Sequence, residues 1–217
     1  MGSDSCIGIL LAGGLARRMG GGDKPLEKLG GIALLAHAAA ALRPQCRSLV
    51  LSANSDPERF ACFDLPCVAD DLAGREGPLA GILSCLDWIA ARYPEVPIAL
   101  SAPADTPFLP SDLFARLARA RQSGASIACA SSGSRLHPAV ALWPVALRGE
   151  LRRALVDDQV RKVETFIRNY SLAIVDWPIE PYDPFFNINE PKDLETAQAI
   201  LLSHKTAIAP DRGFCDS

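Results

Sequence analysis

Six residues, Cys6–Leu11, run almost without polarity straight into Leu11-Ala12-Gly13-Gly14-Leu15-Ala16-Arg17-Arg18-Met19-Gly20-Gly21-Gly22-Asp23-Lys24-Pro25. An apolar strand that empties into glycines constrains the fold more than any other feature of the chain. Glycine admits positive φ and lets backbone N–H groups come close to a ligand. Arg18 and Lys24 in the same loop supply the charge that a polyphosphate requires. The loop is not a Walker A sequence, because no Gly-Lys-Ser or Gly-Lys-Thr occurs in it. It lacks the Gly-x-Gly-x-x-Gly dinucleotide fingerprint as well. Taken alone, the glycines also fit a flexible loop with solvated basic residues; the strand ahead of them and the Arg18/Lys24 pair favour a phosphate-binding turn.

The rest of the chain repeats the pattern of strand followed by helix. Helices are expected near Ile32–Leu42, Leu79–Arg92, Val145–Val156, Val160–Tyr170 and Glu190–Ser203. Another runs to Arg121, capped by Ser111, with Leu113, Phe114 and Leu117 on one face. Strands are expected at Ser48–Ser52, Cys67–Ala69, Pro97–Ala102, Ala125–Ala130, Ala139–Trp143, Leu172–Asp176 and Phe185–Ile188. Such alternation predicts an α/β fold, a mostly parallel sheet covered on both faces, with ligands beyond the carboxyl ends of the strands. The 217 residues suit one domain, expected over 1–204, and the apolar-poor stretch 205–217 reads as a flexible tail.

Composition removes several function classes. Net charge is −3 and the pI is near 5.6, so the basic footprint of a nucleic-acid binder is missing. No apolar run reaches the length of a transmembrane helix, and the N-terminus has neither a cationic signal region nor a myristoylation pattern. Seven cysteines, odd in number and without a Cys-x-x-Cys, read as buried reduced thiols in a cytoplasmic protein.

Candidate chemistry centres on Asp105, just past the strand at Pro97–Ala102. Mg²⁺ takes hard oxygen ligands, commonly one or two carboxylates completed by substrate phosphates. A turn-forming aspartate before Thr106-Pro107 is the plainer reading of the same residue. Asn187 and Asn189, two apart on an expected strand, would share a face. Their amides suit metal, phosphate or ribose, although Asn189 also fits the cap of the helix that follows. Asp70-Asp71 places two carboxylates in a loop, where an ordinary solvated role is the plainer reading. His137 is a candidate for an acceptor site or a structural histidine. Arg152, Arg153, Arg161 and Lys162 read as solvated helix faces, with Arg161 and Lys162 also open to an anionic phosphate.

The stretch Leu-Ala-Gly-Gly-x-x-x-Arg-Met-Gly-x-x-Asp-Lys resembles the signature of nucleotidyltransferases with a glycosyltransferase-A-like fold. More closely it resembles the bacterial molybdenum cofactor guanylyltransferases. Four segments extend the resemblance to about residue 200: Asp70-Asp71 before Gly77-Pro78-Leu79-Ala80-Gly81, Ala104 to Pro110, His137-Pro138-Ala139-Val140, and Asn187 to Leu194. The resemblance implies a single three-layer α/β/α domain. It implies transfer of GMP from GTP to the terminal phosphate of Mo-molybdopterin, with Mg²⁺ on Asp105, release of pyrophosphate, and Arg18 and Lys24 beside the phosphates. Leu11, Ala12, Gly13, Gly14, Lys24, Ser52, Asp71, Asp105, Asn187 and Asn189 are its implied nucleotide contacts. Implied partners, besides GTP and Mo-molybdopterin, are molybdopterin-handling and molybdoenzyme-maturation proteins, for a monomer or weak oligomer. Leu-Ala-Gly-Gly, where cytidylyltransferase relatives tend to read Leu-Ala-Ala-Gly, favours guanine. Two positions depart from the family pattern: Ala104 stands where a cysteine is usual, and Ser52 replaces the first amide of an Asn-x-Asn pair. A cytidylyltransferase, a sugar-nucleotide pyrophosphorylase and a non-catalytic nucleotide-binding module are the competing readings.

Overall fold

A computed structural model describes residue 2 and residues 5–12, 24–72 and 77–203. Strand β1 (Cys6–Leu11) lies between β4 (Ser48–Ser52) and β6 (Ile98–Pro103), parallel to both. Its side chains alternate between two apolar layers: Cys6 and Leu10 enter one, Ile7 and Ile9 the other. A strand buried on both faces needs the unbroken apolar run seen in the sequence. The sheet has seven strands, ordered β5 (Cys67–Val68), β4, β1, β6, β8 (Arg135–Pro144), β7 (Ile127–Ser132) and β9 (Leu172–Trp177). Within it β8 runs antiparallel to both neighbours, and the other pairs are parallel.

Helices α1 (Leu34–Leu42) and α3 (Leu113–Arg121) cover one face of the sheet. On the other face lie α2 (Pro78–Arg92), α4 (Arg148–Val156) and α5 (Val163–Ile167). A two-stranded ribbon, β2 (Lys28–Leu29) and β3 (Ile32–Ala33), packs with α6 (Pro191–Ser203) around Leu29, Ile188 and Leu201. The expected three-layer architecture is thus the observed one. From β1 the chain passes to β4 and β5 on one side, then returns to β6 on the other. That reversal makes the carboxyl ends of β1 and β6 the switch point, where a ligand crevice opens.

Three local expectations fail for identifiable reasons. Ser111 does not cap α3; Asp112 holds the N-cap position without a capping bond, and its carboxylate instead accepts Trp177 Nε1–H at 3.0 Å. Residues 185–188 form no strand. Their backbone is tied instead by local bonds to Asp183 and by Ile188 N–H to the Asp105 carbonyl at 3.1 Å. Strand β8 begins at Arg135, not at Ala139, so His137 and Pro138 are inside it. It is entered by a two-residue turn in which Gly133 and Ser134 both have positive φ, 52° and 64°.

A bulge in β8 shapes the region around that histidine. Cys129 pairs with Ala141, yet the next residue of β7, Ala130, pairs with His137. Residues 138–140 are therefore extra on one side of the ladder and bow out of it. Pro138, which has no N–H to give a ladder, sits where none is required. The Ser101 hydroxyl holds the bowed segment by donating to the Ala139 carbonyl at 2.8 Å.

Candidate active site

Beyond the carboxyl ends of β1 and β6 lies a cavity of about 190 Å³, lined by Leu11, Ala12, Lys24, Asp105 and Asn187 among others. Backbone bonds carry the sheet past its nominal ends: Ala12 N–H reaches the Ser52 carbonyl at 2.9 Å, and Ala104 N–H the Leu11 carbonyl at 3.0 Å. Asp105 is thereby fixed next to the end of β1. Ala104 is fully buried, so a small side chain is needed there and the carboxylate beside it is undisturbed.

Asp105 Oδ2 is ion-paired with Lys24 Nζ, and the same ammonium donates to Asn189 Oδ1 at 2.7 Å. Asp105 Oδ1 is buried with no hydrogen-bond partner among the described residues, and so is Asn187 Oδ1. Burial pushes the Asp105 carboxyl above the ordinary aspartate range, although the Lys24 ammonium pulls it back. Native structures rarely leave a buried oxygen without a partner, and two on one cavity wall mark a place where something binds. Both are hard oxygen donors and one belongs to a carboxylate, a set that fits Mg²⁺ whose remaining positions come from phosphate and water. Among the described residues no three His, Cys, Asp or Glu side chains cluster to hold a metal by themselves. A cation here would depend on substrate oxygens.

Asn187 and Asn189 do come to the cavity, though not as neighbours on a strand. Neither serves as the side-chain cap of α6: Asp193 Oδ2 does that work, accepting Asn189 N–H at 2.8 Å and Glu190 N–H at 2.9 Å. Asn189 is left to hold Lys24. Gly13, Gly14 and Arg18 lie outside the described residues.

The aspartate pair divides. Neither is among the residues that line the cavity; Asp71 Oδ2 takes Arg152 Nη2–H at 2.8 Å and its Oδ1 the Ser84 hydroxyl at 3.3 Å. Arg152 is therefore no free solvated residue, for it bridges Asp71 and Asp87, each at 2.8 Å. Asp70 is the less exposed of the two. Its N–H donates to Asn54 Oδ1 and its Oδ2 accepts Asn54 Nδ2–H, both at 2.8 Å. Ser52 is buried at the end of β4 beside it. A Cβ on Gly81 would sit 2.2 Å from Ser52 Oγ and 3.5 Å from Asp70 Oδ1, so the first turns of α2 press directly onto this corner. Sequence reading named both aspartates and chose Asp71; the Asn54–Asp70 exchange that separates them joins residues 16 apart and gave no signal in the sequence.

A second cavity, about 380 Å³, shares Pro103, Ala139 and Asn187 with the first and is also lined by Arg135, His137, Asp183 and Phe185. His137 Nε2 lies 2.7 Å from Ser132 Oγ, which donates to Asp183 Oδ1 at 2.8 Å. Serine, not histidine, is central in this chain and is buried, so it is no nucleophilic triad. Ser132 and Asp183 had no signal in the sequence. Arg161 and Lys162 line neither cavity; Arg161 is spent on the Leu155 carbonyl and Gln159.

Residues 8–172 match the family described as MobA-like NTP transferase domain. The chain belongs to that family. A relative from Rhodopseudomonas palustris is 56% identical over 195 residues, covering 89% of this chain and 93% of the relative, and is named molybdenum cofactor guanylyltransferase. A relative of the same name from Nitrobacter hamburgensis is 53% identical, covering 89% and 93%. Among solved structures, molybdopterin-guanine dinucleotide biosynthesis protein A from Archaeoglobus fulgidus superposes with a TM-score of 0.70 at 22% identity, over 91% of this chain and 99% of that one. 2-C-methyl-D-erythritol 4-phosphate cytidylyltransferase from Thermus thermophilus does so with 0.63 at 19% identity, over 89% and 98%. These two likenesses bear on the fold, which is the nucleotidyltransferase one inferred from the sequence. No helix among the described residues is long and apolar enough to cross a membrane.

Proposed function

We propose that this protein transfers GMP from GTP to the terminal phosphate of Mo-molybdopterin, with Mg²⁺ held at Asp105. The observation that carries this reading is the pairing of a buried, half-satisfied carboxylate with a lysine at the end of β1, in a chain more than half identical to named guanylyltransferases. The phosphates of GTP would enter the first cavity over Leu11 and Ala12. Asp105 Oδ1 and Asn187 Oδ1 are the oxygens that would hold Mg²⁺. Bound there, the ion supplies charge neutralisation at phosphate oxygens.

Lys24 is poised to exchange one set of oxygens for another. Its ammonium now sits on Asp105 and Asn189, within reach of the space where the β- and γ-phosphates would lie. There it would offset the charge that grows on departing pyrophosphate, a task the sequence also gives to Arg18. In the reaction an oxygen of the acceptor phosphate forms a bond to the α-phosphorus, and the α–β bridging bond breaks. The acceptor is anionic near neutral pH, so the chain has to orient it more than deprotonate it. Asp70, fastened by Asn54 next to Ser52, is the carboxylate we assign to the guanine edge.

Purified protein incubated with GTP, Mg²⁺ and Mo-molybdopterin is expected to release pyrophosphate and form the guanine dinucleotide, with CTP and ATP far poorer donors. Equal use of CTP, or no product with GTP, contradicts the proposal.

A further inference from the structure

Asp183, Phe185 and His137 on the wall of the second cavity and Ser132 behind it form an ordered chain of donors and acceptors. Asp183 Oδ1 accepts the Phe185 N–H at 2.9 Å and the Ser132 hydroxyl at 2.8 Å. A carboxylate only accepts, so the single hydroxyl proton of Ser132 is committed to it. The contact from Ser132 Oγ to His137 Nε2, 2.7 Å, then has one remaining sense: Nε2–H donates and the serine oxygen accepts. In the neutral ring this leaves Nδ1 with a bare lone pair. Ser132 is 2% exposed and lies behind the cavity wall, whereas His137 is on the wall. The Nε2 edge therefore points inward, and the opposite edge, carrying Nδ1, is left for the cavity.

The ring cannot readily swing away. Phe185 packs against it at a 40° tilt with centroids 4.8 Å apart, and Phe185 is itself held edge-on by Trp177 at 5.3 Å. The bulge at 138–140 is what brings His137 out of the ladder's regular alternation and against this wall. Burial lowers the basicity of the imidazole; Asp183 opposes this and Arg135 adds to it, and these are the charged groups that act on the ring. The remaining wall sets the rings of Phe185, Phe186 and Pro138 among polar side chains, Arg135, Thr106 and Asn187 included. Such a space suits a planar heterocycle, and an outward lone pair suits an N–H donor on its edge.

We propose that His137, fixed in its Nε2-protonated tautomer by the Asp183–Ser132 chain, is the acceptor-binding residue that takes a hydrogen bond from a ring N–H of the pterin through Nδ1. Asp183 and Ser132 are positioning residues that act through it. This rests on the guanylyltransferase reading above and deepens it: it assigns the second cavity's orienting contact to a side chain.

Two measurements test it. In protein labelled with ¹⁵N-histidine, the His137 ring, assigned by comparison with His137→Gln, should show a protonated Nε2 and an unprotonated Nδ1 at neutral pH. Saturating molybdopterin should then shift Nδ1 and leave Nε2 little changed. A protonated Nδ1 in the free neutral ring, or an Nδ1 blind to molybdopterin, overturns the proposal. In steady-state kinetics, His137→Ala and Asp183→Ala should raise KM for molybdopterin about tenfold while KM for GTP stays within about twofold. Asp183→Asn, which keeps an oxygen for Ser132, should restore most of the affinity. Parallel changes in both KM values, or no rescue by asparagine, overturn it. Wild-type protein that makes no dinucleotide removes the functional reading and this assignment together; wild-type turnover with an unmoved acceptor KM removes the assignment alone.

Discussion

The two cavities differ in how far their polar groups are already satisfied. In the first, Asp105 Oδ1 and Asn187 Oδ1 are buried without partners among the described residues, and one lysine is shared between Asp105 and Asn189. In the second, a polar chain runs from Asp183 through Ser132 to His137 and leaves the Nδ1 lone pair of that ring for the cavity. Leaving buried oxygens unmatched costs stability, on the order of 1–3 kcal/mol each. The first cavity carries that cost because its missing partner arrives with the substrate. The second spends its hydrogen bonds in advance to hold one ring in one orientation. Charge is to be neutralised on one side of β6 and geometry fixed on the other.

The sharpest way to break this contrast is Asp105→Asn. Asparagine keeps an oxygen for Lys24 but removes the charge, so turnover should fall about a thousandfold, near 4 kcal/mol of transition-state stabilisation, with the thermal midpoint little changed. Assays with Mg²⁺ in excess and a melting curve check both halves. Turnover close to wild type would place the charge-neutralising role elsewhere.

Lys24→Ala comes next. Loss of a charged hydrogen bond to phosphate should weaken GTP binding by roughly 1.5–3 kcal/mol, about ten- to a hundredfold, by titration calorimetry. Asp105 loses its ion-pair partner as well, so stability should also decline. A smaller change is expected at the base-reading corner. Asp70→Asn should reduce the preference for GTP over CTP by about tenfold, the value of one hydrogen bond to a charged group. Asp71→Asn, which loosens a surface pair with Arg152, should shift that preference less than twofold and cost at most about 1 kcal/mol of stability. The reverse ranking, read from competition between the two nucleotides, would return the role to Asp71.

The smallest effect is one of pH. Burial lowers the basicity of His137 in the second cavity and of His37, whose Nε2 meets the Leu29 carbonyl at 3.0 Å. Each is held neutral in the folded state below the pH at which it would charge when unfolded. The unfolded chain therefore binds more protons in that interval. The stability these groups contribute is present above the ordinary histidine value and is lost as pH falls through their lowered folded values. Denaturant melts from pH 7.5 down to 5 should show this decline, and His37→Gln should flatten part of it. A wild-type curve that rises on acidification over that span contradicts the assignment.

Much of the architecture was legible because it rests on unbroken apolar runs with clear stops. β1 and β4 have the bounds read from the sequence, since both faces of each must be apolar and glycine or polar residues end them. Asp105 and Lys24 were legible too, as a strand-end carboxylate and a loop cation. What escaped notice depends on contacts between distant residues. Phe185–Ile188 has the composition of a strand, but it joins no ladder among the described residues and ends as a segment pinned to Asp105. Asp70 and Asp71 are equivalent in sequence, and only the positions of Asn54 and Arg152 tell them apart. Ser132 and Asp183, 51 residues apart, meet because a bulge and an irregular return bring two chain segments to one wall.

Calorimetric titration of the wild-type protein and Asp105→Asn with GTP, each with and without Mg²⁺, addresses the central claim most directly. The account predicts that Mg²⁺ tightens GTP binding to the wild type and that this gain disappears in the variant. GTP affinity that is indifferent to Mg²⁺ in the wild type, or equally responsive in both proteins, would contradict it.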